Sequence, residues 1–141
     1  MIEPPVVVSV TRLIDQSRVL AYADAARDPN PLHTDAAYAA ATPFGRPIAH
    51  GMLVLALVSE AMAQAFGTRW VHGGTLNVRW RSPAIHPVVV TARATLRSST
   101  DEIATYDVAC KEEHGTVLLT GTATAPLAIS TSTDTTGPPS G

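Results

Sequence analysis

The chain has 141 residues, of which 45% are hydrophobic and 16% charged, with a formal net charge of −2. That length and composition exclude a disordered chain and fit one domain with a real core. The near-neutral balance excludes nucleic-acid binding through bulk charge, and no basic amphipathic stretch suits a membrane surface.

The first element is a β-branched strand over residues 6–10, in M-I-E-P-P-V-V-V-S-V, a start without the basic residues of a signal peptide. Residues 15–27 place Val19, Tyr22, Ala23 and Ala26 at helical spacing, with Asp15 as the N-cap. Pro29 and Pro31 end that helix, since each lacks an N–H and disfavours helical backbone in the residue before it. A brief second helix covers residues 34–42, capped by Thr34 or Asp35, and T-P-F-G-R-P at 42–47 is a loop. Residues 50–66 form a long helix, apolar nearly all round, with Ser59, Glu60 and Gln64 as interruptions and Gly67 as its stop. Such a helix is expected to be buried. It is too short to span a bilayer.

The remainder alternates with period two. Leu76, Val78 and Trp80, then Val88 through Leu96, then Ala104 through Cys110, then residues 117–125 read as four strands. One strand before the helices and four after predict an α+β domain over residues 1–128, a five-stranded antiparallel sheet curled around a long buried helix. Residues 129–141 carry no core-forming side chains and are expected to be a disordered tail. Cys110 is the single cysteine and a small core residue, which fits a reducing, cytoplasmic compartment. Lys111 is the only lysine among ten basic residues, a codon-level hint of a GC-rich bacterial genome.

The chemistry-bearing residues lie where the first helix stops. Two prolines stiffen R-D-P-N-P-L-H-T-D, and Asp28 and His33 within it are able to orient one water and move its protons. The plainer alternative is that Asp28 turns the chain and His33 packs. Gly51 opens the long helix, where backbone N–H groups lack partners and carry partial positive charge, a setting for a developing oxyanion. Alternatively, glycine only lets the chain bend there. Ser59 reads as a hydroxyl bonded to its own helix backbone. A zinc site of Asp28, His33 and His50 lacks compact ligand spacing, so no metal is expected, and His50 reads as an N-terminal hydrogen-bonding residue. His72, His86 and His114 read as surface or strand-end residues.

Taken together, D-P-N-P-L-H-T-D at 28–35 and F-G-R-P-I-A-H-G-M-L at 44–53 closely resemble the hydratase motif of the MaoC-like family, the (R)-specific enoyl-CoA hydratases. The resemblance is strong over residues 22–62 and compatible in the later strands. It implies the hot-dog fold and a homodimer. It also implies that Asp28 and His33 hold the water that adds to C3 of a trans-2-enoyl thioester, with the Gly51 N–H on the thioester carbonyl. Asn30 matches a loop-supporting asparagine, and Ser59 a serine near the aspartate. Leu55 and Met62 are candidates for the acyl pocket. No cofactor is implied beyond the substrate's own coenzyme A or acyl carrier protein. Two departures stand out: Arg27 occupies a place where members often have a glycine, and I-H-P-V at 85–88 replaces a Gly-Asp turn. Two other readings share the fold: an acyl-thioesterase, and one subunit of a heteromeric hydratase.

Overall fold

The computed structural model describes residues 3–128. The tail expected to be disordered, 129–141, lies outside the described residues. Strand β1 (Val7–Ile14) leads into α1 (Gln16–Ala26), the short helices α2 (Pro31–Thr34) and α3 (Ala36–Ala40), the long α4 (Gly51–Phe66) and a one-turn-and-more α5 (Thr68–Gly73). Strands β2 (Thr75–Trp80), β3 (Val88–Ser99), β4 (Ile103–Glu112) and β5 (Val117–Pro126) follow. All five strands join one antiparallel sheet in the order β1-β3-β4-β5-β2, and α4 packs against β1, β3, β4 and β5. This is the expected hot-dog arrangement. Among the described residues no helix is long and apolar enough to cross a membrane.

The alternating positions behave as the pattern predicts. Val88, Val90, Ala92 and Ala94 of β3 and Ala104, Tyr106, Val108 and Cys110 of β4 are buried on the face toward α4. The many alanines on that face leave room for the larger helix side chains Leu53, Leu57, Val58, Met62 and Phe66. β1 runs four residues past its expected end, to Ile14, because β3 offers a continuous partner from Val88 to Thr95. At Gly121 of β5 the edge strand β2 crosses so closely that a Cβ would stand 2.1 Å from the Asn77 carbonyl oxygen.

Local chemistry sets the helix ends. Asp15 caps α1 by accepting from the Arg18 N–H, and Arg27 closes it in left-handed backbone at φ 54°. Asn30 caps α2, with Pro31 at its first position, and Asp35 caps α3 by accepting from the N–H groups of Ala37 and Tyr38. The helix predicted over 34–42 is α3, capped by Asp35 as expected, and the turn α2 before it is an addition, because Asn30 caps it and Pro31 opens it. The α5 turn was not foreseen. Its Trp70 is buried beside Phe66 and seals one end of the core.

One expectation is corrected. α4 is not enclosed on all sides: Leu53, Val54, Leu57, Val58, Ala61, Met62 and Phe66 are buried, while Met52 is 54% exposed and Ala56 also faces out. The sheet covers one side of the helix, and among the described residues no second layer lies over the other. Arg12 of β1 pairs with Glu60 on its flank.

Candidate active site

Asp28 and His33 sit at the two ends of a short, heavily braced segment. After the left-handed turn at Arg27, the Asp28 N–H donates to the Ala23 carbonyl at 2.9 Å, tying the segment to the end of α1. The Asp28 carboxylate accepts from the Asn30 N–H at 3.4 Å, and the Asn30 side chain accepts from the Leu32 N–H at 3.0 Å. Asn30 therefore supports the loop by capping the turn that carries His33. The left-handed backbone at Arg27 also explains the resemblance's preference for glycine there, since glycine adopts that conformation without steric cost.

The ring of His33 is fixed through Nδ1, which donates to the Ile48 carbonyl at 2.7 Å because a carbonyl can only accept. That leaves Nε2 with its lone pair as an acceptor and base. The 48–50 strip is itself pinned. The Ile48 N–H donates to the Leu32 carbonyl at 3.3 Å, the Ala49 N–H to the Ala84 carbonyl at 2.7 Å, and Ile48 bridges Ile85. A carboxylate oxygen of Asp28 and ring nitrogens of His33 and His50 all lie within 4.8 Å of one another. The His50 Nε2–Asp28 Oδ2 distance within this cluster is 4.0 Å, and the spacing leaves room for a water bonded at about 2.8 Å to its partners.

His50 is more than the helix-end residue it was expected to be. It makes no side-chain cap bond. Instead it is 3% exposed, stacks on the His33 ring at a centroid distance of 3.8 Å, and donates from Nε2 to the Asp28 carbonyl at 3.2 Å. Its Nδ1 is buried without a partner. As a metal ligand, Nε2 would have to give up the proton it shares with Asp28. His86 is also corrected. It is a buried residue, and its Nε2 donates to the His33 carbonyl at 2.9 Å.

Gly51 begins α4 beside this cluster. The Trp80 indole at the end of β2 lies over it, with Nε1 donating to the Gly51 carbonyl at 3.1 Å, and an added Cβ would stand 2.8 Å from that nitrogen. A side chain at this position would have to displace the Trp80 indole, and Gly51 lines a cavity of about 320 Å³. Phe44, Ile48, Val54, Trp80, Pro83 and Ala84 line that cavity with Gly51 itself. Leu55 and Met62 do not: Met62 is fully buried in the core and Leu55 packs at its margin. Ser59 accepts from the Trp70 indole N–H at 2.9 Å, and no hydrogen bond joins it to Asp28. Burial pushes the Cys110 thiol up to about 12, where it is neutral and a poor nucleophile.

A family model described as "MaoC like domain" matches residues 1–117. The chain belongs to the MaoC-like family. Within that family it is 33% identical over 114 residues to an (R)-specific enoyl-CoA hydratase of Aeromonas caviae, covering 79% of this chain and 84% of that protein. It is 38% identical over 86 residues to 3-hydroxyacyl-thioester dehydratase Z of Mycobacterium tuberculosis, covering 58% of this chain and 56% of the relative. Among solved structures, an (R)-hydratase from A. caviae superposes with a TM-score of 0.78 at 29% identity, covering 90% of this chain and 98% of that one. The MaoC-like assignment agrees with the sheet order and helix placement described above.

Proposed function

We propose that this MaoC-like chain is a hydro-lyase that reversibly hydrates trans-2-enoyl thioesters to (R)-3-hydroxyacyl thioesters. The observation that carries the reading is the clustering of the Asp28 carboxylate with a ring nitrogen of His33 within 4.8 Å, while the Ile48 carbonyl engages Nδ1 and leaves Nε2 as a base. In the hydration direction a water held by both groups gives a proton to His33 as its oxygen bonds to C3. The C2–C3 π electrons move toward the thioester carbonyl, whose oxygen takes the developing charge. The Gly51 N–H and the helix dipole stabilise that oxygen. The pair then returns a proton to C2 from the same face, so no net proton is consumed. The acyl group enters the cavity beside Gly51, where Val54 is the α4 side chain that faces it.

The substrate is carried by coenzyme A or an acyl carrier protein, and no further cofactor takes part. Residues 1–128 act as one domain, in a cytoplasmic homodimer that covers the outward apolar side of α4. The relatives named as hydratase and dehydratase support this reading over a thioesterase, and Cys110 offers no activated nucleophile for the latter.

The test is the loss of enoyl-thioester absorbance with crotonyl-CoA and longer or branched enoyl-CoAs, with product configuration read by an (R)-specific dehydrogenase. Asp28→Asn and His33→Ala should each lower kcat by about 10²- to 10⁴-fold while the far-ultraviolet spectrum is kept. No turnover across the panel sinks the assignment, and an unaffected rate in either variant reassigns that residue's role.

A further inference from the structure

Among the described residues only two buried side chains are polar or charged, and both are histidines: His50 and His86. Burying an imidazole costs free energy unless its N–H finds an acceptor. Each has found one, and the two acceptors are not scattered. His50 donates to the main-chain carbonyl of Asp28 at 3.2 Å, and His86 donates to the main-chain carbonyl of His33 at 2.9 Å. The bonds reach across 22 and 53 residues of sequence, from the start of α4 and from the β2–β3 connection. His50 also lies flat against the His33 ring, at 27° between planes.

We propose that His50 and His86 are positioning residues, each fixing the backbone of one member of the Asp28–His33 pair. The inference rests on Asp28 and His33 being the reacting groups. The Asp28 side chain is about half exposed, and its carboxylate is held only by a long bond from the Asn30 N–H at 3.4 Å and by His50 Nε2 at 4.0 Å. The backbone of the pair is also held from behind, through two carbonyls that accept from His50 and His86. His50 adds a second restraint, since its ring face limits the tilt of His33 while His33 donates to Ile48. His86 stands where the resemblance leads one to expect a Gly-Asp turn, so this arm of the clamp belongs to this chain in particular.

The experiment separates the hydrogen bond from the packing. His50→Gln and His86→Gln keep an N–H donor near the Nε2 position. His50→Phe keeps the ring without a donor, and His86→Leu keeps apolar bulk without one. Each is assayed for kcat and KM on whichever enoyl-CoA the wild type hydrates, beside Asp28→Asn and with thermal unfolding recorded. The donor-free forms should lose kcat by about 10- to 100-fold, the scale of an ångström-level misplacement of catalytic groups, with KM within about twofold. The glutamine forms should recover to within about threefold of wild type. Donor-free variants that are folded and keep kcat, while Asp28→Asn abolishes it, overturn the positioning role and leave the hydratase reading intact. If Asp28→Asn itself keeps kcat, the assignment of Asp28 as a reacting group fails first, and the positioning role falls with it. Where a donor-free form does not fold, the glutamine form decides: folded with kcat kept supports the role, folded with kcat lost overturns it.

Discussion

Replacing Gly51 with alanine is the sharpest probe of the oxyanion end of the site. The new Cβ would lie 2.8 Å from Trp80 Nε1 and 3.2 and 3.3 Å from Cε2 and Cδ1, where ordinary contact begins at 3.4 Å. Roughly 0.6 Å must therefore be recovered by the indole, by the start of α4, or by both. Trp80 is 50% exposed, so its ring has room to swing, and swinging breaks the bond from Nε1 to the Gly51 carbonyl. The stability loss should be small, about 1 kcal/mol for one hydrogen bond. The rate should suffer more. Losing an oxyanion donor outright costs about 10²–10³ in kcat, and a donor displaced by half an ångström should cost about tenfold. The decisive assay is a double-mutant cycle with Trp80→Leu, which removes both the strap and the clash. Gly51→Ala should cost clearly less in that background than in the wild type. If the two effects on kcat multiply independently, within about twofold, the close approach of Trp80 is not what demands glycine at this position.

Other predictions concern the scaffold. Arg27→Gly should raise the unfolding free energy by up to about 1 kcal/mol, since it removes the left-handed strain at φ 54°, and urea unfolding would show it; a loss would mean that the arginine side chain matters more than its backbone. Ser59→Ala should cost about 1–3 kcal/mol by leaving the Trp70 indole N–H without its acceptor, and a rate loss that exceeded the stability loss would bring Ser59 back to the active site. Cys110 should resist thiol reagents at pH 8 in the folded chain and react at once in denaturant. Because its folded pKa is raised from 9.0 to about 12, its contribution to stability is whole below about pH 9 and is lost as pH rises toward 12. Cys110→Ala should therefore flatten alkaline unfolding in that window. An unchanged alkaline profile would contradict the assignment.

The parts of the fold that were readable in the sequence are those written in local chemistry. Asp15, Gly67 and the prolines at 29 and 31 mark helix ends through dihedral and hydrogen-bond preferences that need no distant partner. Strand alternation identified the inward residues of β3 and β4 correctly for the same reason. Strand order was not readable, because β1 pairing with β3 and β2 with β5 depend on the sheet curling around α4. The site divided in the same way. Asp28, Asn30, His33 and Gly51 stand in a recognisable run, and the fold brings Asp28 and His33 together beside His50, the neighbour of Gly51. His50, His86 and Trp80 were undervalued because histidine and tryptophan suit either surface or interior. Only the fold shows that their N–H groups reach Asp28, His33 and Gly51. Short prolines and glycines within the 42–47 loop were visible, but its role in lining the cavity through Phe44 was not.

The cavity wall and the proton-moving groups come from different stretches of chain. Asp28 and His33 lie before α4, while Trp80 ends β2 and Pro83 and Ala84 follow it. The two stretches touch through the Ala49–Ala84 hydrogen bond and the Ile48–Ile85 bridge. For a protein engineer this is a modular arrangement. The side chain at 83 is the one to vary for the proposed acyl-group preference, since Trp80 also braces Gly51, provided that the backbone at 84 and 85 keeps its grip on 48 and 49. Substrate range and turnover chemistry can then be altered one at a time.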